Sequence, residues 1–444
     1  LFGVKTELKF GKTRIKAIFS EQKSESRSVV SEGGGTVQEF EFRALDYDEN
    51  RHFFLSHFFR NKYDESLENY PFINSNIQIT RAEVWVTNRN NQLEDVRNIL
   101  AFQDLGESDN ISSSVNLLSP PNSYPDNSNN AYDPTSIGLP GSQLTDLVRD
   151  ISTVQSGILV PNTSEGIDYG KLENAQKLRE NIDYQIHPQL GYISLTQKLD
   201  NDEILAVAFQ YTVGDQVFQV GEFANDGVQA TEVSFQDNIQ VVNSNNLILK
   251  LLKSTLTSVD EPIWDLMMKN IYSLGAYNLS AQEFYLDVVY ENTIDNGTIT
   301  NYLSEPSEPN IHAVPIIKVV GLDQLNQQQD RKSDGVFDFI QGLTINTSNG
   351  RVIFPVREPF GSFMRSKFSN NDIAEKYVYD ELYDSTLTVA QQFPEKNKFR
   401  LKGSYQSESG SEIYLGVMQV EEGSVVVTAG GVKLEEGIDY IVNY

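Results

Sequence analysis

The first twenty residues contain two runs in which apolar and polar side chains alternate, separated by Gly11-Lys12. A glycine at the first position of a two-residue loop favours a type II′ hairpin. That loop predicts one register, with the pairs Phe10–Thr13, Leu8–Ile15, Thr6–Ala17 and Val4–Phe19. These pairs share one face, and Glu7 faces Lys16 on the other. Because a slip of one residue would reverse the two faces, the register is well specified.

This hairpin suits two environments. One apolar and one charged face are typical of a membrane-barrel hairpin and equally of the edge of a soluble sandwich. The alternating runs are shorter than the usual 9–11 residues of a spanning strand, which favours the soluble edge.

Composition and charge exclude several function classes. The 35 Lys and Arg against 62 Asp and Glu give a net charge of −27, which argues against nucleic acid and anionic lipid headgroups as partners. The chain has no cysteine, which excludes disulfides, cysteine–zinc sites and thiol catalysis.

Short strands dominate the rest of the pattern, and the expected class is mainly β within α+β. Strands are predicted at 37–45, 77–86, 204–213, 284–290, 316–320 and, as a hairpin around Ser348-Asn349-Gly350, at 343–346 and 352–356. Helices are predicted at 51–70, at 142–157 and from Pro262 to Gly275.

Four regions follow from this pattern. They are 1–105 (the hairpin plus a β/α module), 106–141 (a loop rich in Ser, Asn and Pro), 142–320 (a β-rich module with helices) and 321–444 (a β-rich module that is truncated).

One short pattern occurs three times, as Glu165–Tyr169, Glu180–Tyr184 and Glu436–Tyr440. Gly or Asn at its second position supplies a positive φ, so the pattern is interpreted as a turn leading into a strand. The second copy continues as strand, turn and strand to Leu195. The third stops at Tyr444 before the turn, so the natural chain is expected to continue past Tyr444 and to begin before Leu1.

The sequence predicts no catalytic, cofactor-binding or metal-ligating residue, and no cofactor. His52 and His57 lie five apart, which is not a metal pair on a helix, so both are interpreted as residues at the edge of the core. The acidic loops 104–110 and 126–130 do not fit the twelve-residue calcium loop and are interpreted as solvated loops.

Several long runs resemble one family. They are Leu1–Lys12, Phe19–Ser24, Gly33–Glu41, Asn50–Arg60, Tyr70–Ile73, Ile79–Arg89, Asp183–Leu195 and Gly430–Tyr440. Together they are similar to the SprA/Sov family of Bacteroidetes, the outer-membrane translocon of the type 9 secretion system, which is also associated with gliding motility.

The resemblance implies a fragment of a giant outer-membrane β-barrel with soluble β-rich insertion domains and a few short helices. The implied function is a structural segment of a protein-conducting channel, with insertions in the periplasm or at the cell surface, and no enzymatic activity. Implied partners are other subunits of the secretion complex, exported cargo proteins, the remainder of its own chain and the outer membrane. The resemblance also gives the membrane hairpin the same weight as the soluble edge.

Two other function classes stay open. A cell-surface adhesin or glycan-binding β module draws support from the 24 Phe and 21 Tyr. An envelope hydrolase has no motif in its favour.

Overall fold

Strands dominate the fold, which confirms the mainly β class. The computed structural model describes residues 2–10, 13–21, 37–89, 93–107, 123–225, 231–236, 239–256, 258–292, 297–406, 424–429 and 432–436, together with Tyr440 and Val442. Within them, the strands are β1 (Phe2–Phe10), β2 (Thr13–Glu21), β3 (Val37–Arg43), β4 (His52–Phe54), β5 (Ile77–Val86), β6 (Val96–Phe102), β7 (Tyr169–Lys177), β8 (Tyr184–His187), β9 (Tyr192–Leu195), β10 (Leu205–Val213), β11 (Gln216–Val220), β12 (Thr231–Gln236), β13 (Ile239–Ser244), β14 (Leu247–Lys253), β15 (Ile271–Ser273), β16 (Tyr285–Asn292), β17 (Thr298–Thr300), β18 (Ile345–Asn346), β19 (Arg351–Ile353), β20 (Phe399–Gln406), β21 (Thr428–Ala429) and β22 (Val432–Lys433).

The helices are short. They are α1 (His57–Leu67), α2 (Val154–Gly157), α3 (Ile316–Val319), α4 (Ser362–Arg365), α5 (Asn371–Tyr377), α6 (Glu381–Asp384) and α7 (Leu387–Ala390), with 3-10 turns at Pro134–Ser136, Asp146–Arg149 and Pro262–Leu266.

The N-terminal hairpin has the predicted register. Strands β1 and β2 are antiparallel, and the four apolar pairs and Glu7–Lys16 are all partners. Each strand has nine residues. The Gly11-Lys12 loop and the segment 24–35 lie outside the described residues.

The first core surrounds a closed sheet. Strand β5 pairs with β10 and β7, β7 with β6, β6 with β14 in parallel, and β14 with β10, so five strands form a ring. Strand β10 is the nearly continuous apolar run, and Leu205–Phe209 are buried on both faces as predicted. Phe59 of α1 packs its ring against Phe209 and Tyr211. Strands that close into a ring have no unpaired edge within it. Unpaired edges are the main hazard of a β-rich fold, because they can pair with another chain.

The second core combines residues from distant parts of the chain. Strand β3, with Phe40 buried, joins the sheet β17–β16–β20–β3, and helices α3 to α7 contribute to the same core. Residues 40–47 therefore share this core with residues 272–405. The four-region division of the sequence stays a prediction.

The repeated pattern forms the predicted turn, and the structure adds a fourth copy at Gln341–Ile345. In three copies the second residue has a positive φ and its N–H donates to the carbonyl of the fifth residue at 2.7 Å; these residues are Gly166, Asn181 and Gly342. In each of these copies, the side chain of the fourth residue accepts a hydrogen bond from the backbone N–H four residues earlier. The pairs are Asp168 with Ser164 (2.7 Å), Asp183 with Arg179 (2.9 Å) and Thr344 with Ile340 (3.0 Å). In the C-terminal copy, residues 437–439 lie outside the described range, and Glu436 and Tyr440 form the same bridge as the others.

Three helix predictions were wrong in part. Residues 52–54 form a strand because they pair with β9, and α1 begins only after Ser56. Residues 142–157 form a 3-10 turn (Asp146–Arg149) and the one-turn helix α2 instead of one helix. Between them, Asp150 Oδ1 accepts from the Ser152 N–H (2.9 Å) and Thr153 Oγ1 donates to the Leu147 carbonyl (2.7 Å). After the turn at Pro262–Leu266, residues 271–273 form a strand paired with β19.

One strand prediction was wrong. Residues 316–319 form α3, with Ile316 and Ile317 buried in the second core. A short apolar run of β-branched residues cannot be assigned by periodicity alone, and here packing decides. The hairpin around Ser348-Asn349-Gly350 was correct, with β18 paired to β19.

Candidate functional site

Buried titratable side chains gather at one end of the closed sheet. They come from the start of α1 (His57), the turn after β6 (Asp104 and Glu107) and strand β14 (Lys250). Lys250 is 0% exposed and Glu107 is 1% exposed, so both charges lie in the interior. We call these four residues the charged cluster.

Glu107 is the centre of the charged cluster. Lys250 Nζ lies 2.7 Å from Glu107 Oε1 and also donates to the Gln103 carbonyl. The His57 backbone N–H lies 3.2 Å from both Glu107 oxygens, and its ring Nδ1 lies 3.2 Å from Oε1. Burial opposes the charge, but Lys250 and His57 lower the pKa of Glu107 to about 2. Glu107 is therefore a carboxylate that joins three elements.

The environment of Asp104 differs from that of Glu107, because its carboxyl group lacks close partners in the described part of the chain. Its side chain is buried, and neither carboxylate oxygen has a hydrogen-bond partner among the described residues. Burial raises the pKa of Asp104 to about 7; Lys250 opposes this shift, and Glu107 and Asp168 add to it. The cluster therefore contains a carboxyl group whose pKa is lowered by its cationic partners and, three residues earlier, one whose pKa is raised by burial.

The sequence interpretation of these loops as solvated was wrong in part: Asp126 is half-buried and Ser128 is exposed, and residues 108–110 lie outside the described range. Asp104 and Glu107 are buried, and so are Asn129 and Asn130 of the second acidic loop. Tyr132 stacks on Phe102 with ring centroids 4.1 Å apart, so residues 123–133 pack against the sheet. The apolar Phe102 and Leu105 on either side of Asp104 are the one sequence signal for this burial.

A second polar group contains the other predicted core-edge histidine. His52 is 1% exposed, with Nδ1 at 2.7 Å from Ser194 Oγ and Nε2 at 3.2 Å from Asp48 Oδ2. Burial lowers the pKa of His52, and the Asp48 carboxylate opposes this shift. Because a carboxylate only accepts, His52 Nε2 is the donor to Asp48. Arg351 Nε binds the same Asp48 oxygen at 2.8 Å. Both histidines are thus buried, as predicted.

The hydrogen bonds run from Ser194 through His52 to Asp48, as in a serine–histidine–aspartate triad, but here the three residues connect parts of the fold. His52 and Ser194 are direct partners on adjacent strands, and the ring is covered. Asp48 also binds Arg351 on β19. The group therefore links the β4–β9 pair of the first core to β19.

Lys269 lies in a small cleft next to α1. Its Nζ donates to the Tyr383 carbonyl at 2.5 Å and lies 4.2 Å from the Trp264 ring centroid. Burial lowers the pKa of Lys269 to about 7. The cleft, which Arg60 and Glu358 also line, has a volume of about 20 Å³ and so has room for about one water molecule.

Within the described ranges, no three His, Cys, Asp or Glu side chains lie where they could hold a metal ion together. In the same part of the chain, no helix has the length and apolar character needed to cross a membrane.

One family model matches this chain. It is the N-terminal SprA family, described as motility related/secretion protein, and it covers residues 1–216. Residues 1–216 belong to the SprA family. The SprA region includes the hairpin, α1 and four of the five strands of the closed sheet, whereas the similar run at 430–440 lies outside the match.

The SprA match describes a secretion and motility family, which is not a family of enzymes. It indicates a membrane-associated or envelope location. No curated protein matches the chain.

Proposed function

We propose that this chain is a structural segment of a protein-conducting outer-membrane channel for type 9 protein secretion, with insertions in the periplasm or at the cell surface. Its partners are then the other subunits, the cargo proteins, the remainder of its own chain and the outer membrane. The observation that carries the proposal is the β1–β2 hairpin, which lies inside the SprA region and has the register predicted from its apolar face.

The length of the hairpin supports a spanning role. Nine residues per strand reach the lower end of the 9–11 that a tilted spanning strand needs. At about 3.4 Å per residue such a strand is about 31 Å long, and a tilt of about 40° gives a height of about 23 Å. The apolar band of an outer-membrane barrel is about 25 Å tall.

Cysteine labelling tests the proposal, because these 444 residues have no native cysteine and the protein without an added cysteine measures the background labelling. Leu8→Cys and Ile15→Cys place a thiol on the predicted lipid face, and Glu7→Cys and Lys16→Cys place one on the opposite face. In outer membranes, a membrane-impermeant maleimide should label the second pair and not the first. All four should react after unfolding in urea.

A functional assay completes the test in cells that make the full protein. Leu8→Arg combined with Ile15→Arg should strongly reduce cargo secretion, because a charge on the lipid face costs about 2–4 kcal/mol near the membrane midplane. The matched control, Lys5→Arg with Lys16→Arg, should secrete normally. Equal labelling of all four cysteines, with normal secretion by the double arginine variant, would refute the spanning role.

A further inference from the structure

Residues 134–161 form a small lobe on the first core, which we call the leucine lobe. Its inner side is anchored by Leu144, Val148 and Val154, all at most 1% exposed. Leu144 and Ile158 form a β-bridge, and the Asn246 N–H donates to the Arg149 carbonyl at 2.7 Å. The lobe is therefore a fixed part of the fold.

Three leucines are exposed on the outer side of the leucine lobe, among polar side chains such as Gln143 and Gln155. Leu139 is 59% exposed, Leu147 48% and Leu159 54%. They are three of the five large exposed leucines in the described part of the chain. Single exposed leucines are ordinary on protein surfaces, whereas several exposed on adjoining segments are a candidate interaction site.

The chain segments that carry the three leucines touch one another. A Cβ on Gly138 would lie 2.8 Å from Asp146 Oδ1, which places Leu139 next to the turn that contains Leu147. A Cβ on Gly157 would lie 2.9 Å from the carbonyl carbon of Leu147, and Leu159 follows two residues later. The three exposed leucines are therefore carried by adjoining segments of the lobe.

Charge is scarce in the lobe and negative at its edge. Residues 134–161 contain three charged side chains, Asp146, Arg149 and Asp150. Arg149 is neutralised by Glu222, whose two oxygens lie 2.6 and 2.7 Å from the guanidinium nitrogens. Asp146 is exposed, and the whole chain carries a net charge of −27.

The negative charge of the chain favours one kind of partner over others. A second copy of the chain would bring the same net charge of −27, and like charges oppose association. Anionic lipid headgroups are repelled for the same reason. A protein surface with an apolar centre and Lys or Arg around it gains both from burial of the leucines and from charge complementarity.

We propose that the leucine lobe docks a protein partner whose contact surface is apolar at its centre and basic at its rim. The proposal does not depend on the channel function, because the lobe is far from the hairpin in the sequence and its surface does not require a membrane.

Binding of designed peptides to the purified chain tests the proposal. Two labelled amphipathic helical peptides share one leucine face and differ in their polar face, which carries Lys in one and Glu in the other. The Lys peptide should bind, and the triple variant Leu139→Ser, Leu147→Ser and Leu159→Ser should weaken that binding at least tenfold. The matched control replaces three exposed valines from separate places, Val217, Val336 and Val426, by Ser and should leave binding unchanged.

Each other outcome overturns the proposal. Equal binding of the Lys peptide to both triple variants would show general attraction to an acidic chain. Binding of the Glu peptide with the same affinity would refute charge complementarity. A wild-type dimer that the leucine triple variant loses would assign the lobe to a second copy, and leucine-dependent binding to anionic vesicles would assign it to lipid. Because none of these variants alters the hairpin, secretion through the channel and peptide binding can fail independently.

Discussion

Asp104 predicts a specific dependence of stability on pH. Its pKa is 3.8 in the unfolded reference and about 7 in the fold. Between these values the native state binds more protons than the unfolded state, so the contribution of Asp104 to stability falls as the pH rises. Each pKa unit corresponds to about 1.4 kcal/mol, so the whole shift is worth about 4 kcal/mol and is fully felt above pH 7.

Asp104→Asn isolates this effect, since the amide stays neutral at every pH. Other titrating groups occur in both proteins and cancel in the comparison. From pH 4.5 to 6.5 the stability of the variant relative to wild type should increase by about 3 kcal/mol. For a domain of roughly 150–250 residues, each kcal/mol of added stability raises the Tm by about 2–4 °C. The difference in Tm between variant and wild type should therefore grow by on the order of 5–10 °C over this pH range.

The assay is differential scanning fluorimetry of both proteins over this pH range. The matched control is Asp215→Asn, which changes an exposed aspartate in the turn between β10 and β11 and should give a Tm difference that does not vary with pH. A constant difference for Asp104→Asn, or one that shrinks as the pH rises, would refute the argument that burial dominates the environment of Asp104.

Three further changes test other parts of the fold. Lys250→Met should destabilise the first core by about 3–5 kcal/mol, because it leaves Glu107 buried and less well paired, and adding Glu107→Gln should recover much of that loss in thermal melts. Gly191→Ala should lower the Tm strongly, because φ is +63° and a Cβ would lie 2.2 Å from the Phe59 ring; an unchanged Tm would contradict this packing. Asp168→Ala removes the acceptor of a backbone N–H in the repeated turn and should cost about 1–2 kcal/mol, measured by denaturant unfolding; no change would refute the role of this bond.

Local chemistry made several features predictable. The register of β1 and β2 follows from alternation with a period of two and from the length of the loop, both of which are properties of adjacent residues. The repeated turn follows from a residue that tolerates positive φ and an Asp two positions later, and the structure confirms it at Gly166 and Asn181. The sequence by itself therefore determined the mainly β class and these two elements.

Long-range packing decided what local patterns could not. The ring closes because β5 pairs with β10, more than a hundred residues later, and no local signal encodes that pairing. The same holds for α3, whose β-branched residues favour a strand until burial in the second core selects a helical turn. Asp104 and Glu107 resemble solvated acids in sequence, and only the packing of distant elements around their turn buries them, with Lys250 and α1 pairing Glu107. Burial depends on contacts between distant residues, and for that reason the charged cluster was a property of the tertiary structure alone.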